Sequence, residues 1–191
     1  LIQSLANRLA NYVVKNDETA NQEVLSYGFQ LLLMAFITYA VVLISAYLLG
    51  VFKEMLIAIA TYILMRTTIG GCHANSRTVC LITYSAILYS SIFLADALIL
   101  SWYVILVLYF INVILLFLYA PGDTIQQPIV QRRFIRKILG LVFLSCLFAL
   151  SLVFQDMRIE TNILLFVSTA TCILLHPYIY KAYGCEKSLY N

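Results

Sequence analysis

Long apolar runs separated by short polar stretches dominate this chain, and lipid explains them. Residues Tyr27 to Leu49 and Ala97 to Tyr119 are predominantly apolar over a length that a helix of about 20 residues needs to cross a bilayer. Shorter runs, Val79 to Ala95, Ile138 to Phe154 and Ile163 to Tyr180, lie near the lower limit of about 17 residues. The run Met55 to Met65 is too short to cross alone. It spans only by recruiting Val51, Phe52 and the polar residues after it, or else it dips in and returns. At the start of the chain Leu1, Leu5, Leu9, Tyr12 and Val13 recur at helical spacing, with Gln3, Asn7, Arg8, Asn11 and Lys15 between them. This predicts an amphipathic segment over residues 1–24, either lying in the membrane interface or packed on the bundle. A signal peptide would show a continuous apolar core there instead. The predicted fold is all-α: a polytopic membrane helical bundle in one domain, 1–191. It has about six membrane segments, one of them short or re-entrant, plus an N-terminal amphipathic interfacial helix.

Composition agrees with the medium. Hydrophobic residues make up 63% of the chain and charged residues 11%, with mean hydropathy +0.93, whereas soluble domains are roughly 45–50% apolar and about 25% charged. Nucleic acid is excluded as a partner, because the basic residues are spread between apolar spans and form no aromatic-interleaved patch. Membrane lipid is the expected surrounding.

The net charge of +3 is therefore read through topology, since Lys and Arg accumulate in cytoplasmic loops. With six spans and the N-terminus inside, ten of the 12 basic residues are cytoplasmic and only Lys53 and Arg158 are outside. With five spans and the N-terminus outside, nine of the 12 are cytoplasmic. Both arrangements put residues 66–80 and the loop 120–137 on the cytoplasmic side.

Polar chemistry is concentrated in the first of these, Arg66-Thr67-Thr68-Ile69-Gly70-Gly71-Cys72-His73-Ala74-Asn75-Ser76-Arg77-Thr78-Val79-Cys80. A thiolate is a nucleophile and a thiol is not. Free cysteine ionises near pH 8.5, so an active cysteine needs an imidazolium or a helix N-terminus nearby. His73 offers the first, and Asn75 or Ser76 as N-cap of a helix carrying Cys80 would offer the second. In one continuous helix His73 and Cys80 would share a face but stand roughly 10.5 Å apart along the axis, too far for a hydrogen bond. Gly70 and Gly71 are expected to break the helix and let the chain fold back.

The other cysteines offer less. Cys72 adjoins His73, but neighbouring side chains diverge. Cys146 and Cys172 lie mid-span and read as small hydrophobes, and Cys185 is a tail residue with no partner pattern. Five cysteines at irregular spacing form no disulfide framework. Cys72, His73, Cys80 and His176 contain neither CxxC nor HExxH spacing, so no metal and no cofactor is expected. His176 before Pro177 marks a helix end or kink.

The second polar stretch runs from Tyr119-Ala120-Pro121-Gly122-Asp123 through Pro128-Ile129 to Arg132-Arg133-Phe134-Ile135-Arg136-Lys137. Proline and glycine prevent regular structure in its first part. Arg132, Arg133, Arg136 and Lys137 then read as a topological anchor, as a surface for an acidic peptide, or as a site for anionic headgroups.

Taken together, Arg66, Gly70-Gly71, His73-Ala74 and Cys80, followed by Tyr119-Ala120-Pro121, Pro128-Ile129 and the basic residues, resemble the accessory gene regulator protein B (AgrB) family of Gram-positive bacteria. The likeness covers nearly the whole chain. It implies a multi-pass cell-membrane cysteine endopeptidase acting in quorum sensing on an AgrD-like propeptide. His73 and Cys80 match its catalytic pair, and Arg66, Gly70 and Gly71 support the motif. The implied chemistry is a Cys80 thioester that an internal cysteine or serine of the peptide resolves into a thiolactone or lactone. A homodimer is left open. The competing reading is a non-enzymatic peptide transporter or adaptor whose polar motif only shapes a re-entrant segment.

Overall fold

The computed structural model describes residues 2–16, 21–72, 77–124 and 132–185. Their regular structure is helical, in two compact units, residues 1–50 and 51–191.

The first unit holds α1 (Ile2–Asn16) and α2 (Gln22–Leu48). Ala6 and Ala10 are buried, and small side chains there let α1 approach α2 closely. The Ser26 hydroxyl donates to the Asn7 side-chain oxygen between the two helices. Asn21 caps α2, its Oδ1 accepting from the Glu23 N–H at 2.9 Å. Leu5, Leu9 and Tyr12, the predicted apolar stripe of α1, are exposed, so α1 packs through its alanines and leaves the larger apolar face outward. α2 has 27 residues, about 40 Å of helix. Val24, Leu32, Phe36, Val41 and Ile44 face outward from it, as a lipid-facing helix requires.

The second unit contains α3 (Phe52–Ile69), α4 (Arg77–Ala97), α5 (Trp102–Tyr119), α6 (Arg133–Val153), a 3-10 turn at Gln155–Met157, α7 (Arg158–Ile173) and α8 (Pro177–Ala182). Its centre is α7, which packs against α3, α4, α5 and α6. That position explains its composition. Thr161, Asn162, Ser168 and Thr171 are buried, and the hydroxyls return to carbonyls of their own helix, as Ser168 does to Leu164 at 2.7 Å. Asn162 donates to the Leu98 carbonyl at 3.0 Å, and Asn112 donates to Thr169 Oγ1 at 2.8 Å. Lys53 on α3 pairs with Glu160 on α7 at 2.7 Å. Around these contacts Met65, Ile69, Leu116, Leu144, Leu147, Cys172 and Leu175 form the apolar core.

Among the described residues four helices are long and apolar enough to cross a membrane: α2, α4 from Thr78, α5 and α6. The short run Met55 to Met65 is one continuous helix of 18 residues, because α3 recruits Phe52 and extends through Arg66 to Ile69. The apolar run from Ala97 to Tyr119 is not one helix: Asn162 takes carbonyls at the end of α4, and α5 starts only at Trp102. The run Ile163 to Tyr180 also divides, since His176 caps α8 and Pro177 opens it.

Candidate active site

The polar motif begins on the last turn of α3. Gly70 and Gly71 have φ of 71° and 130°, conformations that glycine adopts without steric cost, and they stop the helix after Ile69. Arg66 then secures the break. Its Nη1 donates to the Gly70 carbonyl at 2.9 Å and its Nη2 donates to the Cys72 carbonyl. A Cβ on Gly71 would overlap this guanidinium. Arg-x-x-x-Gly-Gly is thus a structural unit, a guanidinium reaching back along its own chain to hold the carbonyls of the turn it precedes.

A second loop meets this turn. Gly71 donates its N–H to the Gly122 carbonyl at 2.8 Å, and Gly122 donates to the Ile69 carbonyl at 2.8 Å, making a parallel bridge between Gly70 and Gly122. No side chain fits at residue 122. A Cβ there would stand 2.5 Å from the Tyr180 hydroxyl, 2.8 Å from Leu175 Cδ2 and 2.9 Å from Gly71 Cα. The next residue, Asp123, is buried and pairs with Arg133 Nη2 at 2.9 Å, which ties the loop to the first turn of α6.

Two cysteines frame the motif and differ sharply. Cys72 is buried, 5% exposed. Burial pushes its thiol up to about 12, a hydrogen bond with Cys185 adds to the rise, and the Arg66 charge opposes it. Cys80 is the fourth residue of α4 and is exposed. It therefore sits in the first turn, where backbone amides lack intrahelical acceptors and the helix dipole favours negative charge. One turn further on, the Thr83 hydroxyl and the Tyr183 hydroxyl are 2.8 Å apart, bringing the segment after α8 onto α4.

His73, Asn75 and Ser76 lie outside the described residues, as do residues 125–131, so the separation of His73 and Cys80 lies outside them too. Arg66, Gly70 and Gly71 are brought together at one turn. The four basic residues have different surroundings. Arg132 is exposed, Arg133 turns inward to Asp123, Arg136 is half-buried, and Lys137 Nζ lies 4.4 Å from the Phe117 ring centroid. Arg133, Arg136 and Lys137 belong to the start of α6 and not to an irregular loop. Cations are unfavourable at a helix N-terminus, and the Asp123 carboxylate offsets one of them.

Sequence reasoning missed Gly122, Asp123 and Cys185. A lone acid between Gly122 and Thr124, just upstream of a basic cluster, was the available signal for Asp123. Cys185 carries no such signal. It reaches Cys72 only because the turn at His176 and Pro177 sends the chain back, and its own N–H bonds to the Tyr180 carbonyl at 2.8 Å.

Comparison with known proteins bears on this arrangement directly. The sequence model of the family described as Accessory gene regulator B matches residues 6–176, which includes the glycine turn, Cys80 and the Asp123–Arg133 pair. An AgrB-like protein of Clostridium acetobutylicum is 29% identical over 162 residues, covering 84% of this chain and 77% of that protein. No solved structure matches. The chain belongs to the accessory gene regulator B family.

Proposed function

We propose that this protein is a membrane-embedded cysteine endopeptidase of the agr quorum-sensing system. It removes the C-terminal segment of an AgrD-like autoinducing-peptide precursor through a Cys80 thioester and promotes closure of the peptide ring. Family membership supports the quorum-sensing role and the association with an AgrD-like propeptide. The observation that carries the chemistry is the contrast between the two motif cysteines: Cys80 is exposed in the first turn of a helix, whereas Cys72 is enclosed and held as a thiol.

In this reading His73 accepts the Cys80 proton and the thiolate attacks the scissile carbonyl. The imidazolium returns that proton to the leaving amine, the C–N bond breaks, and the peptide remains as a thioester on Cys80. Backbone amides at the start of α4 are the candidates for stabilising the oxyanion. An internal thiol or hydroxyl of the peptide then attacks the thioester, His73 takes its proton, and the Cys80 thiolate departs as the ring closes. Water must be excluded, because hydrolysis is strongly downhill while thioester exchange is close to neutral. The surrounding is the cell membrane of a Gram-positive bacterium, with the site facing the cytoplasm, where the positive-inside pattern puts the motif.

Reconstitution of the pure protein in lipid vesicles with a candidate propeptide, followed by product masses, tests this reading. A cyclic fragment and a released C-terminal segment are expected. Propeptide that binds and stays intact would instead mark a transporter or adaptor.

The exposed Arg132 is the basic residue best placed to meet an acidic segment of the propeptide. Arg132→Gln is expected to weaken propeptide binding by up to about fivefold at low salt, the scale of one exposed ion pair, and to flatten its salt dependence. Titrations at two ionic strengths check this. Unchanged binding at low salt would reduce Arg132 to an orientation anchor.

A further inference from the structure

The loop 119–124 has no chemistry of its own in the peptidase reading, yet it is built into the motif. Gly122 forms both hydrogen bonds of the bridge to residues 69–71, at 2.8 Å each, and packs its Cα against Gly71 where no Cβ fits. Asp123 follows it directly in the chain. Its carboxylate is buried at 4% residue exposure and accepts from Arg133 at 2.9 Å. Arg133 in turn belongs to the first turn of α6, a helix packed on α3, α5 and α7. A charge is costly to bury at the end of a loop unless its partner fixes it there. The pair therefore anchors Gly122 to the body of the bundle, and Gly122 holds the backbone from Ile69 to Cys72. Arg66 holds the same segment from the other side, through the Gly70 and Cys72 carbonyls. The next residue in the chain is His73.

We propose that Asp123 and Arg133 are positioning residues for the reaction: the ion pair clamps the 119–124 loop onto the glycine turn and so fixes the backbone of residues 69–72, the stretch that precedes the proposed base in the chain. The inference rests on the Cys80 and His73 reading. It assigns Arg133 to the ion pair with Asp123.

The experiment uses the full chain in lipid vesicles. The rate of Cys80 alkylation by iodoacetamide at pH 7 is read by peptide-mapped mass spectrometry, beside kcat and KM for propeptide cleavage. Wild type should alkylate Cys80 at least tenfold faster than His73→Ala, on the order of what a positioned base contributes at the low end. Asp123→Asn should fall to within twofold of His73→Ala, and the double variant should fall no further, because both changes remove the same effect. In cleavage kcat should drop at least tenfold with KM changed less than twofold, and the charge-reversed pair Asp123→Arg with Arg133→Asp should recover at least a third of the lost kcat. A purely structural role would lower the amount of folded protein but leave the alkylation rate of the folded fraction as in wild type. If Asp123→Asn keeps the fast alkylation, or the double variant falls further than either single one, the positioning inference is overturned while the Cys80 and His73 reading stands. If wild type itself alkylates no faster than His73→Ala, that reading fails and the inference falls with it.

Discussion

Replacing Cys80 by alanine is expected to lower propeptide cleavage on the order of a millionfold, and His73→Ala by a similar factor, the scale on which nucleophile and base fail when either is removed. The two losses should not add, since each residue acts only through the other. Both variants should stay in the membrane at normal levels; Cys80 is exposed, so truncating it opens no core cavity. Cys72→Ala is the discriminating control. Cys72 is enclosed beside Cys185 with its ionisation pushed up to about 12, so burial disfavours its thiolate and makes it the poorer nucleophile. Its removal should leave cleavage within about threefold of wild type, the residual effect being packing. Initial rates on vesicles of equal protein content check all three. Full activity in Cys80→Ala would end the thiol mechanism.

Gly122→Ala is expected to destabilise the second unit strongly and to impair cleavage. The new Cβ would meet the Tyr180 hydroxyl at 2.5 Å, Leu175 Cδ2 at 2.8 Å and the Gly71 backbone at 2.9 Å. A flexible side-chain tip can move aside, but the Gly71 Cα can yield only by opening the bridge. Overpacking of this kind costs about 1–3 kcal/mol, and the value should sit at the upper end, because two loops share the strain. Thermal unfolding in detergent should show a lower midpoint, and cleavage should fall at least tenfold even in the folded fraction. Gly28→Ala is the matched control: a Cβ there meets nothing within 4 Å, so both quantities should stay near wild type. Wild-type stability and activity in Gly122→Ala would mean the bridge is dispensable.

The parts of this molecule that were legible in its sequence are those governed by local rules. Apolar runs located the long helices, the helical spacing of Leu1, Leu5, Leu9, Tyr12 and Val13 predicted an amphipathic helix in the segment 1–24, of which α1 takes Ile2–Asn16, and the two glycines predicted the end of α3, because each effect is written within one or two turns of the chain. The position of α7 was not legible. Its buried Thr161, Ser168 and Thr171 lower its hydropathy as surface residues would, and only the tertiary structure shows that it is the helix shielded from lipid. The loop pairing was hidden for the same reason. Gly122 and Gly71 are neighbours through a bridge between distant segments, and Asp123 looks like an ordinary turn residue until Arg133 is seen beside it. Four cations within six positions suggested one surface; the structure adds that Arg133 pairs with Asp123 and that Lys137 lies over the Phe117 ring.

The covalent intermediate is the centre of the account, and trapping it is the most direct measurement. The protein in lipid vesicles is mixed with a propeptide whose internal cysteine or serine is replaced by alanine, and the intact mass and peptide map are read after a single turnover. The account predicts one acyl group on Cys80, none on Cys72, with the C-terminal segment released and the adduct removed by hydroxylamine. Turnover of that peptide to linear acid as fast as the native peptide cyclises, or an acyl group on any other residue, would contradict it.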